Sequence, residues 1–168
     1  MLSWIALTCL MGGIVLLGML SAVDMKTRLL PNEMVTGFAT LGIVFHLTTL
    51  AQFVSVENIA LGGAVGFLAL FLIRVVANKA YGQDALGLGD VKLMGAGGIW
   101  LGPDAIMLAM AAGATAALLH GVFVALGKAR KTGSGPDFVN LQIPAGPGFA
   151  VGLIIGGIFV FWNFRVQM

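Results

Sequence analysis

The stretch LSWIALTCLMGGIVLLGMLSAVD, residues 2–24, settles what kind of chain this is. Leu2 to Val23 carries no charge and is long enough to cross a bilayer, which takes ~20 apolar residues. It then stops at a carboxylate, Asp24. The segment lacks the basic start of a signal peptide and outruns the apolar core of one, so it reads as a retained membrane span. The rest of the chain has the same character. Of its residues 59% are hydrophobic and 10% charged, where a soluble domain averages about 25% charged, and the mean hydropathy is +1.02. Cys9 is the lone cysteine and lies inside the first apolar run, so neither a disulfide framework nor a CxxC zinc site forms within one chain. The net charge of +2 and the lack of a basic, aromatic patch argue against a nucleic-acid partner.

Beyond the first run, five more apolar segments are expected at Met34–Leu50, Ile59–Val76, Val91–Leu101, Ala105–Leu126 and Gly146–Phe164. Polar breaks at 24–33, 78–90 and 128–142 alternate with minor ones at 52–58 and 102–104. The basic residues sort onto one side of this arrangement. Lys26, Arg28, Arg74, Lys79, Lys92, Lys128, Arg130 and Lys131 share a face, and Arg165 alone falls on the other. The positive-inside rule makes the crowded face cytoplasmic. The expected fold is therefore an all-α integral membrane protein of six transmembrane helices, one polytopic domain over 1–168, with both termini on the non-cytoplasmic side. The pairs Gly62/Gly66, Gly98/Gly102 and Gly152/Gly156 are read as ordinary close packing between membrane helices.

Most acidic residues, Glu57, Asp84, Asp104 and Asp137, fall in breaks and read as solvated. Asp24 and Asp90 differ. One closes the first span and the other opens the fourth, both at the basic boundary. Taken singly, Asp24 is a helix-end charge beside Lys26 and Arg28, and Asp90 is a helix N-cap. Taken together, they are two carboxylates at one depth on separate helices. Two close carboxylates cannot both ionise cheaply, so they share a proton. The ionised one can then draw a proton from water while the protonated one stabilises an oxyanion. That is aspartyl-protease chemistry and needs no metal or cofactor. Gly87 and Gly89, just before Asp90, let backbone pass close and supply conformations other residues avoid. The span after Asp90 is short, ~16 Å of helix, about half a hydrocarbon core. Such a short helix brings water toward Asp90.

Gly87-Leu88-Gly89-Asp90 with Val91-Lys92-Leu93 resembles the GxGD motif of type IV prepilin peptidases, which are intramembrane aspartyl proteases. DMKTRLLPN (24–32) is similar to that family's other motif, an Asp followed by basic residues and Pro-Asn. IPAGPGFAVG (143–152) resembles the Pro-x-Gly-Pro element that opens the family's last helix. The resemblance implies that Asp24 and Asp90 are the catalytic pair. It also implies removal of the short basic leader of prepilins or pseudopilins at the cytoplasmic edge of the bacterial inner membrane. Gly87, Gly89, Lys92, Pro144, Gly146 and Pro147 are then expected to shape the site or touch substrate. Lys92 either tunes Asp90 or snorkels to the interface. Larger members carry a cytoplasmic insert, often with paired CxxC motifs, linked to N-methylation; its absence here puts methyl transfer in doubt. Ala145 stands where an aromatic residue is common in the family. The compact form resembles the short peptidases of Tad/Flp-type pilus systems. His46 and His120 read as packed or interfacial, and Pro31-Asn32 as a stop and restart between helices. The rival reading is a small proton- or cation-coupled transporter using the same two carboxylates.

Overall fold

A computed structural model describes residues 2–82, 86–132 and 145–162, and every element among them is helical. The order is α1 (Leu2–Thr27), α2 (Asn32–Thr48), α3 (Val56–Tyr81), α4 (Leu88–Thr132) and α5 (Gly146–Phe161). The ends are set by local chemistry. Arg28 turns left-handed (φ 55°) and donates its N–H to the Asp24 carbonyl at 2.9 Å, closing α1. Pro31, extended and without a free N–H, opens α2. The Ser55 hydroxyl accepts from Asn58 N–H and caps α3. Gly82 (φ 65°) ends α3 in the left-handed conformation glycine tolerates. Pro147 sits in the first turn of α5, where no intrahelical donor is lost.

The expected break at 102–104 is real, and sharper than a loop. Gly102 has φ 77° and ψ 175°, a region open to glycine and little else. Pro103 follows and has no N–H to continue the ladder. The chain reverses here. Gly97 meets Leu153 and Leu101 meets Gly156, so residues 88–101 run parallel to α5. Gly156 meets Ala105, Gly152 meets Ala109 and Gly148 meets Ala117, so residues 103–132 run against it. The described residues thus form six alternately directed helical segments. Three stretches are long and apolar enough to cross a membrane: Trp4–Thr27, Val56–Tyr81 and Leu88–Arg130, the last holding the reversal. Gly146–Phe161 is shorter and apolar. Large apolar side chains cover the exterior, among them Leu72, Leu118, Phe123 and Phe159. An exterior of that kind belongs in lipid.

Residues 88–101 form the centre. From Asp90 to Gly102 nearly every residue is buried, with Val91 and Met94 fully enclosed. Its shortness, open in the sequence between a helix that ends early and a thinned bilayer, comes from the break at Gly102–Pro103, and, enclosed by other helices, the segment need not match the bilayer. The glycine pairs do pack helices, as expected. A methyl on Gly98 would overlap the Gly62 carbonyl, and one on Gly152 the Ala109 carbonyl. Beneath the reversal lies an aromatic cluster. Phe45 contacts Trp100, Phe53 and Phe161, and the Trp100 indole donates to the Phe38 carbonyl at 2.8 Å. His46 is buried, as expected of a packed histidine, and its Nε2 lies 3.1 Å from the Trp100 carbonyl. His120 is exposed on the second arm of α4.

Candidate active site

The direction of each segment gathers one set of ends together: the end of α1, the start of α2, the end of α3 and the starts of α4 and α5. Asp24 occupies the last turn of α1. The chain then bends through 28–31 and lays Leu30 against the first turn of α4. There, a side chain on Gly89 would begin 2.8 Å from Leu30 Cβ. Glycine at 89 is what allows the α1–α2 bend to reach α4. Gly87 leaves room for Asp90 itself, since a Cβ there would stand 3.2 Å from Asp90 Oδ2. Neither glycine adopts a positive φ. The expected role in close approach holds, whereas the expected special conformation does not. Arg74 of α3 donates to the Leu86 carbonyl at 2.9 Å and pins the strand of chain that leads into Gly87.

Asp90 is the third residue of α4, inside its first turn, and not the residue before the helix. The N-cap reading is therefore set aside. Asp24 and Asp90 are 6% and 8% exposed, the two buried carboxylates among the described residues. They lie within electrostatic reach of one another. Asp24 Oδ2 accepts the backbone N–H of Gly146 at 2.9 Å. Any side chain at 146 would collide with that carboxylate, its Cβ only 2.6 Å from Oδ2. Asp90 Oδ1 is buried and has no hydrogen-bond partner among the described residues. A buried acceptor left unpaired is costly and uncommon, and calls for an explanation.

Lys92 points elsewhere. Its ammonium donates to Asn32 Oδ1 at 2.9 Å, tying α4 to the start of α2. It shapes the same end of the bundle without touching Asp90. Asn32 is the partner that sequence reasoning missed. Its signal was the position just after Pro31, where only a helix start was inferred. Pro147 lies one residue beyond Gly146 in α5, partly buried. Pro144, Asp84, Asp137 and Arg165 lie outside the described residues. Glu57 and Asp104 are exposed, as expected of solvated charges.

A bundle of apolar helices with two buried carboxylates at one end defines a class: a polytopic membrane protein with an internal acidic pair. Comparison with known proteins narrows it. Residues 6–122 match the Type IV leader peptidase family, and the chain belongs to that family. Three relatives carry the name prepilin leader peptidase/N-methyltransferase. That of Pectobacterium carotovorum subsp. carotovorum is 34% identical over 125 residues, 70% of this chain and 44% of its own length. That of Dickeya chrysanthemi is 36% identical over 125 residues, with the same shares of each chain. That of Neisseria gonorrhoeae is 31% identical over 137 residues, 80% of this chain and 46% of its own. The chain thus spans less than half the length of these relatives. No solved structure matches it. The apolar helices and the family together make it a multi-pass membrane protein, and nothing in the match favours the transporter reading.

Proposed function

We propose that the protein is an intramembrane aspartyl endopeptidase of the bacterial inner membrane, which removes the basic leader from prepilins or pseudopilins. One observation carries the reading: in a chain of this family, Asp24 and Asp90 are the two buried carboxylates among the described residues, both at the end of the bundle where the helix ends gather. The chemistry follows from two carboxylates that share one proton. The ionised carboxylate takes a proton from water, and the resulting hydroxyl adds to the scissile carbonyl carbon. The protonated carboxyl donates to the carbonyl oxygen as negative charge builds there, which stabilises the tetrahedral intermediate. The C–N bond then breaks, and the departing amine takes up the proton first drawn from water.

The surroundings suit these steps. Gly146 N–H occupies one oxygen of Asp24 and fixes its rotamer, leaving the other oxygen for water. Asp90 Oδ1, without a partner among the described residues, suits a water or the substrate carbonyl. In this reading the six segments are six spans with the basic ends in the cytoplasm, so the leader never crosses the bilayer. The proposal covers the peptidase activity alone, and methyl transfer is not part of it.

The test uses purified protein in liposomes. The substrate is a synthetic precursor with a short Lys/Arg leader, a glycine and about 20 apolar residues. The expected result is loss of the leader on a gel, abolished by Asp24→Asn and by Asp90→Asn. Cleavage that survives either substitution would sink the paired-carboxylate mechanism.

A further inference from the structure

A groove of about 400 Å³ lies between α1 and α5, away from the basic end. Leu10, Ile14 and Leu17 form one wall, and Ile154, Gly157 and Ile158 the other. Phe38 and Trp100 form its floor, and its lining is almost entirely apolar. The Trp100 nitrogen is already spent on the Phe38 carbonyl, so the indole offers the groove a fixed apolar surface.

Three helices aim this groove at the carboxylates. On α1, residues 10, 14 and 17 continue at helical spacing through Leu20 to Asp24. On α5, 157 and 153 lead back through 150 to Gly146. On the central segment, Leu101 and Gly97 lead back to Asp90. The two walls touch at the carboxylate end, where Gly146 donates to Asp24 at 2.9 Å. They part farther along, where the groove opens. From Asp24 to Leu10 is ~21 Å of helix, and from Gly146 to Trp162 is ~24 Å. The groove itself begins two turns from the carboxylates and runs along Leu10–Leu17 of α1 and Leu153–Trp162 of α5, ~10–14 Å of helix. That length meets about two to three turns of a bound helix with an almost entirely apolar surface.

We infer that this groove seats the apolar helix of the precursor, on the carboxy-terminal side of the cleaved bond, so that α1 and α5 form the lateral entrance from the bilayer. The inference rests on the peptidase reading and adds where the substrate lies. A lipid acyl chain and a helix from a second copy are the other occupants the groove could take.

The test places a photo-crosslinking p-benzoylphenylalanine at Ile158, in the groove, or at Phe159, its outward-facing neighbour. Both are made in the Asp90→Asn background and offered the synthetic precursor in liposomes. The expected result is precursor adducts from position 158 and few from 159. A cleavage assay runs beside it with Gly157→Leu and Gly18→Leu. A Cβ at 157 meets nothing closer than Phe161 at 3.9 Å, and one at 18 meets nothing within 4 Å, so neither backbone position is crowded; thermal unfolding in detergent checks that both variants are folded. Gly157→Leu fills the groove and slows cleavage about tenfold, while Gly18→Leu, facing outward, leaves it unchanged. Cleavage by the unmodified protein with equal adducts at both positions, or with only lipid or self-adducts at 158, overturns the groove assignment and leaves the peptidase standing. An unmodified protein that cleaves no precursor brings down both readings together.

Discussion

Gly146 and Gly89 govern the site by having no side chain. Alanine at 146 puts a methyl 2.6 Å from Asp24 Oδ2, so either the carboxylate turns or α5 shifts. Displacements of that size misplace a reacting group, and cleavage by Gly146→Ala is expected to fall about a hundredfold in the precursor assay. Gly89→Ala drives Leu30 away from α4 and is expected to act similarly. Combining it with Leu30→Gly removes the opposing Cβ and should restore part of the loss, a coupling that a double-mutant cycle measures. Asp24→Asn and Asp90→Asn, which keep the shape and remove the chemistry, should each cost on the order of 10³-fold or more. The carboxylates were legible in the sequence because charge beside apolar spans is rare and expensive. Their environment was not. The Gly146–Asp24 bond joins residues 122 apart, and no local pattern encodes a contact at that distance. The bond from Lys92 to Asn32 escaped for the same reason, and the lysine was placed by its nearness in sequence to Asp90.

The broken α4 is the element that organises the bundle. Gly102 holds φ 77° and ψ 175°, so Gly102→Ala is expected to cost ~1–3 kcal/mol, read as a lower midpoint of thermal unfolding in detergent. His46 supports the same reversal by facing the Trp100 carbonyl. His46→Leu removes the hydrogen bond to that carbonyl, at ~0.5–1.5 kcal/mol. His46→Gln, which retains a donor, should recover part of it. The break could be read from Gly-Pro-Asp, because those residues end helices by their own chemistry. The burial of 88–101 could not. An apolar helix looks alike in sequence whether its neighbours are lipids or other helices.

At the scale of the molecule, the basic residues collect at the end that holds the carboxylates. Lys26, Lys79, Lys92 and Lys128 sit there on four segments. Trp4 and Trp162 lie exposed at the opposite end, as interfacial tryptophans do. From Trp4 to Lys26 is ~33 Å of helix, close to a ~30 Å hydrocarbon core. This arrangement carries a prediction about sidedness. Cys9 is buried, so single cysteines can be introduced against a quiet background. Cysteines at Lys79 and Lys128 should label only from the cytoplasmic side of oriented vesicles, and one at Ser55 only from the other. Labelling of 79 and 128 from opposite sides would refute the six-span arrangement. The order of segments was readable because Lys and Arg are costly in hydrocarbon and so mark alternate ends faithfully.

The bond between Asp24 and Gly146 also has a meaning in time. Ribosomes add ~5–20 residues per second, so the 122 positions between the two partners take on the order of 6–25 s to make. During that interval α1 is already in the bilayer, its carboxylate without the amide that will orient it. The end of the molecule that holds the two carboxylates is not complete until α5 has emerged and docked. On the peptidase reading proposed above, a nascent chain would therefore stay inactive until its last helix has docked.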